Sequence, residues 1–164
     1  MVGITKMEAG YWPDVRRIYQ EGINTGQATF ETSCPEWKEW DSAHTPDCRL
    51  VAVRNEEVVG WAALTPVSGR CVYAGVAEVS VYIAESARAR GIGKQLLNAL
   101  ITESEKCGYW TLQASVFATN TVSISLHEAA GFRLIGTRER IGQRNGVWLD
   151  TVIMERRSTT VGIN

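Results

Sequence analysis

The sequence has no excess of positive charge, no long apolar run and no leader pattern. It contains 17 Lys and Arg residues against 18 Asp and Glu residues, with a net charge of −1. That balance gives no electrostatic reason to bind nucleic acid or an anionic membrane. No apolar run is long enough to span a bilayer, and the N-terminal residues do not match a secretory signal peptide. We therefore expect a cytoplasmic protein with no nucleic-acid or membrane partner.

Cysteine and histidine are few and scattered. The residues are Cys34, Cys48, Cys71 and Cys107, with His44 and His127. They form no close pair and no spacing typical of a zinc site. The sequence therefore predicts reduced thiols and no metal cofactor.

Internal repeats, linkers and low-complexity segments are also missing. The chain has 164 residues, of which 45% are apolar and 21% charged. This is the composition of a globular protein that can bury a core. We expect one domain over residues 1–156, followed by a disordered tail over residues 157–164.

The most informative stretch is Ala77–Lys94. Its first half alternates apolar and polar residues, with Val79, Val81 and Ile83 on one side, which predicts a strand. A short loop follows, and an amphipathic helix begins at Gly91 with its apolar residues on one face. The order is a strand, a glycine loop and a helix.

Two glycines and three cations mark this loop. Gly91 and Gly93 lack the Cβ that would keep a ligand away from the backbone. The free N–H groups and the dipole at a helix start favour a phosphate. Arg88, Arg90 and Lys94 add positive charge there, so the pattern indicates a phosphate-binding loop.

Two better-known phosphate motifs do not fit. A P-loop requires Ser or Thr after its Gly-Lys pair, whereas Gln95 follows Lys94 here, and Arg88 occupies the place of its first glycine. A dinucleotide fingerprint requires a third glycine, and Leu96 stands at that position.

The remaining patterns predict an α+β fold. The order of elements is β α α β β β α β α β β, with one parallel crossover, which favours a twisted mixed sheet with helices on both faces. The flanking strands are expected over residues 2–7, 50–54, 58–67, 109–117, 132–141 and 147–154. Helices are expected to begin at Pro13, after Pro35 and after Asn120.

Two motifs resemble those of the GNAT N-acetyltransferases. Arg88-x-x-Gly91-x-Gly93 resembles that family's loop for the pyrophosphate of acyl-coenzyme A. Residues 120–132, Asn-x-x-Ser-x-x-Leu-His-Glu-x-x-Gly-Phe, resemble its Asn-x-x-(Ala/Ser)-x-x-Leu-Tyr-Glu-x-x-Gly-Phe segment. The resemblance implies the GNAT fold with a mainly antiparallel sheet, acetyl-CoA as cosubstrate and a homodimer. It implies a cofactor site formed by Val79, Val81, Tyr82, Ile83, Arg88, Ala89, Arg90, Gly91, Ile92, Gly93, Lys94, Asn120 and Ser123.

His127 departs from the family pattern, because it stands where the family has tyrosine. The family's tyrosine lies near the thioester sulfur and can donate a proton to the departing thiolate. A neutral histidine can do so only with its proton on the correct nitrogen. His127 is therefore either a catalytic acid or a packing residue.

Three further segments are similar to the phosphinothricin and methionine sulfoximine acetyltransferases. They are residues 28–31, residues 70–73 and the closing Gly142-x-x-x-Gly146-x-Trp148-x-Asp150. The similarity implies a small amino acid as substrate, whose α-carboxylate Arg70 fits through paired hydrogen bonds. The implied substrate residues are Phe30, Arg70, Tyr73, Glu78, Ser80, Trp148 and Asp150, with the aromatic ones as pocket walls.

Acetylation of an amine requires a base, because amino-acid ammonium groups are mostly protonated at neutral pH. The resemblance makes Glu78 that base, directly or through water, with Asp150 as second choice. If the strand is splayed as in the family, the N–H groups of Val79–Val81 are placed to hold the oxyanion. An acyl-enzyme route through Cys71 lacks a visible base.

Three functions remain open from the sequence. The first is N-acetylation of phosphinothricin, methionine sulfoximine or methionine sulfone by direct attack in a ternary complex. The second is acetylation of a protein N-terminus or another amine, which requires a more open groove. The third is a non-catalytic acyl-CoA-binding module, which would retain the glycine loop and dispense with Glu78.

Overall fold

The computed structural model describes residues 1–164 and consists of seven strands and four α-helices. The strands are β1 (Gly3–Lys6), β2 (Leu50–Arg54), β3 (Glu57–Pro66), β4 (Val76–Ile83), β5 (Thr111–Phe117), β6 (Arg133–Arg144) and β7 (Val147–Arg157). The helices are α1 (Trp12–Asn24), α2 (Trp37–Ala43), α3 (Ile92–Lys106) and α4 (Thr121–Ala129). The order of elements is the one expected.

The strands form one sheet in the order β1-β2-β3-β4-β5-β7-β6. The pair β4 and β5 is parallel, and every other neighbouring pair is antiparallel. The expected mixed, mainly antiparallel α+β sheet is confirmed. The parallel pair sits at its centre, where α3 provides the crossover.

Helices cover both faces of this sheet. A Cβ added to Gly22 of α1 would lie 2.6 Å from Cδ1 of Tyr82, so α1 packs tightly on the Tyr82 side of β4. A Cβ added to Gly60 of β3 would lie 2.9 Å from Cδ1 of Leu96, so α3 packs on the opposite face. Because successive residues of a strand point to opposite faces, the register also assigns Glu78 to the side of Tyr82.

Local sequence signals explain where the elements begin and end. Pro13 lies in the first turn of α1, where its missing N–H costs no hydrogen bond. Asn145 and Gly146 both have positive φ, 51° and 79°, as a two-residue hairpin turn requires. The apolar face of α3 is buried in the core: Ile92, Leu96, Leu97, Leu100 and Ile101.

Aromatic side chains fill the face that carries α1 and α2. Trp40 and Trp61 are fully buried, with ring centroids 5.4 Å apart, and Trp61 stacks on Tyr82 at 5.0 Å. Trp12 and Trp37 pack against Trp40. Four of the six tryptophans therefore stabilise the interior of one chain.

The C-terminal residues lie against the molecule, where the sequence led us to expect disorder. The guanidinium of Arg157 donates to the carbonyls of Val161, at 2.8 Å, and Gly162, at 2.6 Å. The hydroxyl of Thr160 donates to Glu105 at 2.9 Å, and that of Ser158 donates to the same carboxylate oxygen. These hydrogen bonds, Ser158's first, lower the pKa of Glu105. No helix of the chain has the length and apolarity to cross a membrane.

Candidate active site

A cavity opens where β4 and β5 part. The two strands pair only between Val76–Glu78 and Thr111–Gln113, and beyond Glu78 they diverge. The wedge between them holds a cavity of about 800 Å³. Part of its lining comes from residues 79–83 of β4, and part from residues 114–117 of β5.

The wedge leaves one edge of β4 without a strand partner. Residues 79–83 pair with β3 on one side, from Val79 opposite Leu64 to Ile83 opposite Gly60. On the other side β5 has turned away, so the backbone groups that point there face the cavity. Free N–H and C=O groups in an extended strand can bind an amide-containing ligand as a further strand would, and an N–H among them can stabilise an oxyanion.

Glu78 lies at the vertex of the wedge and lines the cavity. Its Oε1 accepts hydrogen bonds from the Ser115 hydroxyl at 2.7 Å and from the Gln113 side-chain amide at 3.1 Å. Both partners come from β5, Gln113 at the end of the paired segment and Ser115 just beyond it, so the position of the carboxylate depends on how β5 lies beside β4. The sequence pointed to Glu78 beside the reaction but not to Gln113 and Ser115.

His127 is buried on α4 and lines the same cavity. Its Nδ1 lies 2.7 Å from the Ser123 carbonyl oxygen, and because a carbonyl can only accept, Nδ1 carries the proton. Burial lowers the pKa of the ring, against the opposing effect of this hydrogen bond. The neutral ring therefore has an unprotonated Nε2, which accepts a proton and has none to give.

The glycine loop follows β4 at one end of the cavity. Arg88 lines the cavity and its Nε donates to the Ile83 carbonyl at 3.4 Å. Gly91 is the N-cap of α3 with φ of +79°, and no side chain caps the helix. The N–H groups of its first turn therefore lack intrahelical partners and remain available to an anion.

The other loop residues expected to bind the cofactor lie outside the cavity lining. They are Ala89, Arg90, Gly91, Ile92, Gly93 and Lys94. Arg90 and Lys94 are exposed, whereas Ile92 is buried in the core, so only the backbone of Ile92 is free for a ligand. Gly93 adjoins the cavity, since a Cβ there would lie 3.5 Å from Leu126, a lining residue.

Asn120 and Ser123 line the cavity from the start of α4. The Oδ1 of Asn120 accepts the Ser123 N–H at 3.1 Å, which is a helix N-cap. Its Nδ2 donates to the Gln27 carbonyl at 3.1 Å. Asn120 thus ties the loop of residues 25–32 to α4, a contact that the sequence did not predict.

Two of the expected substrate residues besides Glu78 line the cavity. Phe30 packs edge-on against Phe117 of β5, with ring centroids 4.8 Å apart. Ser80 lines the cavity from β4. Both lie on the side where the loop of residues 25–32 covers the wedge.

Four other expected substrate residues do not line the cavity. Arg70 and Tyr73 are exposed on the loop between β3 and β4, with the guanidinium 5.7 Å from the ring centroid. Trp148 is 48% exposed on β7. Asp150 accepts the Arg140 N–H at 2.7 Å, where the pairing of β6 and β7 is irregular, so its carboxylate supports the backbone of β6.

His44 is a cavity residue that the sequence analysis missed. Its Nδ1 donates to the Trp40 carbonyl at 2.7 Å, and burial lowers the pKa of the ring. The neutral ring therefore has its lone pair on Nε2, as in His127. Nothing in the local sequence marks His44, because only the folding of α2 against β3 brings it near Thr65 and Glu78. Tyr19, Gln27 and Thr151 are further lining residues that the sequence did not predict, whereas the lining residues Thr29 and Glu31 belong to the expected segment of residues 28–31.

The charges of the cavity differ between its two ends. Arg88 lies at the end beside the glycine loop, and Glu78 lies at the vertex of the wedge. Glu31 is the other lining carboxylate, and no other Lys or Arg lines the cavity. The arrangement suits an anionic group at the loop end and an amine near Glu78.

Comparison with known proteins identifies the family of this chain. The model of the acetyltransferase (GNAT) family matches residues 12–132. The chain belongs to the GNAT acetyltransferase family. It is therefore an acetyltransferase, and the resemblance drawn from the glycine loop and the α4 segment is confirmed.

Two curated relatives of this GNAT chain are amino-acid acetyltransferases by name. The phosphinothricin N-acetyltransferase of Alcaligenes faecalis is 37% identical over 150 residues, which cover 88% of this chain and 76% of the relative. The L-methionine sulfoximine/L-methionine sulfone acetyltransferase of Pseudomonas paraeruginosa is 36% identical over 152 residues, which cover 87% of each chain.

Two solved GNAT structures share the fold closely. A phosphinothricin acetyltransferase from Sinorhizobium meliloti, in complex with AcCoA, has a TM-score of 0.90 at 30% identity, covering 99% of this chain and 91% of that one. A ribosomal-protein-alanine N-acetyltransferase from Brucella melitensis has a TM-score of 0.88 at 31% identity, covering 95% and 99%.

Proposed function

We propose that this chain transfers the acetyl group of acetyl-CoA to the α-amine of a small amino acid by direct attack in a ternary complex. The proposed acceptors are phosphinothricin, methionine sulfoximine and methionine sulfone, which the names of two relatives include. One observation carries the proposal: Glu78 stands at the vertex of a wedge whose β4 edge is free to bind the acetyl donor.

The loop end of the cavity is the proposed coenzyme site. Arg88 and the uncapped N–H groups of α3 bind the pyrophosphate. The free edge of residues 79–83 pairs with the amides of the pantetheine arm. Asn120 and Ser123 border that arm.

Glu78 is the proposed base. It takes a proton from the substrate ammonium, directly or through water, and the free amine attacks the thioester carbonyl. Backbone N–H groups of residues 79–81 hold the oxyanion. When the carbon–sulfur bond breaks, the attacking nitrogen loses its second proton to solvent, and the thiolate takes a proton from solvent, because neutral His127 has no proton on Nε2.

The substrate carboxylate requires a cation, and the vertex of the cavity has none. Arg70 belongs to the loop that joins β3 to β4, close to the strand ends that carry Thr65 and Glu78. We assign the carboxylate to Arg70, with Tyr73 beside it. Since both side chains are exposed in one chain, this assignment needs the loop to turn inward or to be covered.

We also propose a homodimer, the assembly that the family resemblance implies. β6 is an edge strand exposed along most of its length. Large apolar side chains are exposed on β6 and β7: Leu134, Ile135, Ile141, Val147 and Trp148. Exposed apolar side chains along an edge hairpin can mark a protein contact site, and we propose that a second copy covers this surface.

Acetylation of a protein N-terminus is the second candidate, favoured by the likeness to the Brucella melitensis protein. It requires an open groove for a peptide. The loop of residues 25–32 is instead tied over the wedge by the hydrogen bond from Asn120 to Gln27, which favours a small acceptor. A purely acyl-CoA-binding role would leave the two hydrogen bonds that orient Glu78 without a purpose.

The test is a screen of acceptors with acetyl-CoA and the purified full-length chain. Phosphinothricin, methionine sulfoximine and methionine sulfone are compared with a peptide that begins with alanine. We expect turnover with at least one of the amino acids and none with the peptide. Turnover of the peptide alone would support the second candidate and contradict the first.

Glu78→Gln is the matched variant for the chemical step. We expect kcat to fall by roughly a hundredfold or more, since the variant keeps the hydrogen-bonding shape and loses the base. The defect should shrink at high pH, where solution supplies free amine. Full kcat at neutral pH in the folded variant would show that the base is another residue.

A further inference from the structure

Three potential metal ligands meet outside the lining of the acetyl-transfer cavity. Asp47 and Cys48 precede β2, and Cys107 follows the last turn of α3. The ligand atoms of the three side chains all lie within 4.8 Å of one another. The glycine loop is at the opposite end of α3, so this cluster is separate from the proposed coenzyme site.

The cluster has one buried side and one open side. Cys48 is only 8% exposed, whereas Cys107 is exposed. The hydroxyl of Tyr109 donates to Oδ1 of Asp47 at 3.1 Å. A hydrogen bond of this kind orients a carboxylate that acts as a metal ligand and leaves its other oxygen free.

No free cation neutralises these groups. Arg49, the neighbour of Cys48 in the chain, pairs with Asp41 at 2.6 Å. Lys106, the neighbour of Cys107, pairs with Glu103 at 2.9 Å. The three ligands would carry negative charge in their metal-binding forms, and that charge remains for a bound cation to balance.

We propose that Asp47, Cys48 and Cys107 form a Zn²⁺ site. Two thiolates with one carboxylate suit Zn²⁺, whereas Mg²⁺ and Ca²⁺ prefer sets made only of oxygen. With Zn–S bonds of about 2.3 Å, tetrahedral geometry places two sulfurs about 3.8 Å apart. The observed upper limit of 4.8 Å is close enough for small side-chain movements to reach that distance.

Binding exchanges two protons for the metal ion. The Cys48 and Cys107 thiols each lose a proton to the buffer, two sulfur–zinc bonds form, and one oxygen of the Asp47 carboxylate completes the protein ligands. Water takes the fourth position on the exposed side. The ion links the segment that enters β2 to the end of α3, which gives it a structural role.

The same two sulfurs could instead form a disulfide, and the experiment must separate the two outcomes. Asp47 and Tyr109 have no part in a disulfide, whereas the zinc site uses both. Their substitution therefore affects metal binding only if the proposal is right.

The test is a titration of the fully reduced, full-length chain with Co²⁺ as a spectroscopic probe, followed by displacement with Zn²⁺. We expect thiolate-to-cobalt charge-transfer absorption at one equivalent per chain, its loss on addition of Zn²⁺, and a higher midpoint of thermal unfolding with Zn²⁺. Cys107→Ser, chosen because its side chain is exposed, should weaken Zn²⁺ binding by about a hundredfold or more. Tyr109→Phe should weaken it by about tenfold.

Cys71→Ser is the matched control, because Cys71 is also an exposed free cysteine. It should bind Zn²⁺ as the unmodified chain does. The proposal is overturned if the reduced chain shows no thiolate–cobalt absorption, or if folded Cys107→Ser and Asp47→Asn bind Zn²⁺ unchanged. A Cys48–Cys107 disulfide in a chain that binds no metal after reduction would overturn it as well.

Discussion

Among single residues, His127 shows how one hydrogen bond limits the available chemistry. The Ser123 carbonyl fixes the proton on Nδ1, and burial lowers the pKa, so the charged ring is disfavoured. The ring packs edge-on against Phe132, with centroids 5.2 Å apart. Of the two roles that the sequence left open, these contacts favour packing.

We therefore predict that His127→Phe preserves most of the turnover. In the folded fraction, kcat should stay close to that of the unmodified chain, far from the roughly hundredfold loss expected on removal of a general acid. The measurement is steady-state kinetics with an accepted amino acid. A hundredfold loss of kcat with coenzyme affinity unchanged would restore the acid role.

We also expect His127→Phe to change how the free energy of unfolding depends on pH. The folded-state pKa of His127 is below the unfolded value of about 6.5, so the unfolded chain binds more protons in the window below that pH. The stability that the neutral His127 ring contributes is therefore present above about pH 6.5 and is lost as the pH falls below that value. Urea unfolding at neutral and mildly acidic pH should show a smaller acid-induced loss in His127→Phe, with the partly buried His44, whose pKa is also lowered by burial, accounting for part of the remainder. An identical loss in both proteins would contradict the assigned neutral state.

Among the secondary-structure elements, β4, the glycine loop and α3 form the unit that shapes the cavity. The backbone of the loop is unusual, since both Ala89 and Gly91 have positive φ, 62° and 79°. A Cβ added to Gly91 would have no atom within 4 Å, so the side chain of a substituted residue would not clash with the protein. Glycine is required there because φ is positive, and because a Cβ would keep the phosphate of the ligand away from the backbone.

Gly91→Val should therefore weaken acetyl-CoA binding by tenfold or more, about 1.4 kcal/mol. A β-branched residue disfavours positive φ, so the loop should leave the conformation that presents the first N–H groups of α3. Gly108→Val is the matched control. Gly108 has φ of +88° and equally open space, but it lies at the far end of α3. Calorimetric titration of both variants should show normal affinity in Gly108→Val, and equal affinities would remove the loop from the coenzyme site.

For the molecule as a whole, local patterns predicted the elements and the resemblance predicted their assembly. Pro13, the Asn145-Gly146 turn and the alternation in β4 are signals within a few residues, and each predicted an element that is present. The position of Glu78 followed from the family resemblance. The local signals at Pro13, at the Asn145-Gly146 turn and in β4 are reliable because their physical cause acts between residues close in sequence.

Contacts between distant segments could not be predicted in this way. His44 reaches the cavity, and Cys48 meets Cys107, only because the sheet register and helix packing bring their segments together. Nearness in sequence does not by itself fix a position in space: Arg70 leads into β4 but lies outside the cavity lining of the single chain, so its role at the substrate carboxylate stays a proposal. Asp150 follows the expected motif, yet its carboxylate supports the backbone of β6. The cytoplasmic location stays a prediction.

The exposed apolar surface of β6 and β7 is the proposed dimer interface. Trp148 is 48% exposed, and the guanidinium of Arg140 lies 5.6 Å from its ring centroid. A large aromatic side chain at the centre of an interface commonly contributes about 2 kcal/mol or more. We expect the unmodified chain to be a dimer and Trp148→Glu to weaken dimerisation by roughly thirtyfold, as measured by light scattering after size-exclusion chromatography over a range of concentrations.

Ile163→Glu is the control, because Ile163 is 64% exposed in the C-terminal segment and outside the proposed surface. A monomeric unmodified chain, or a Trp148→Glu variant that dimerises as strongly as Ile163→Glu, would show that this surface is not the dimer interface.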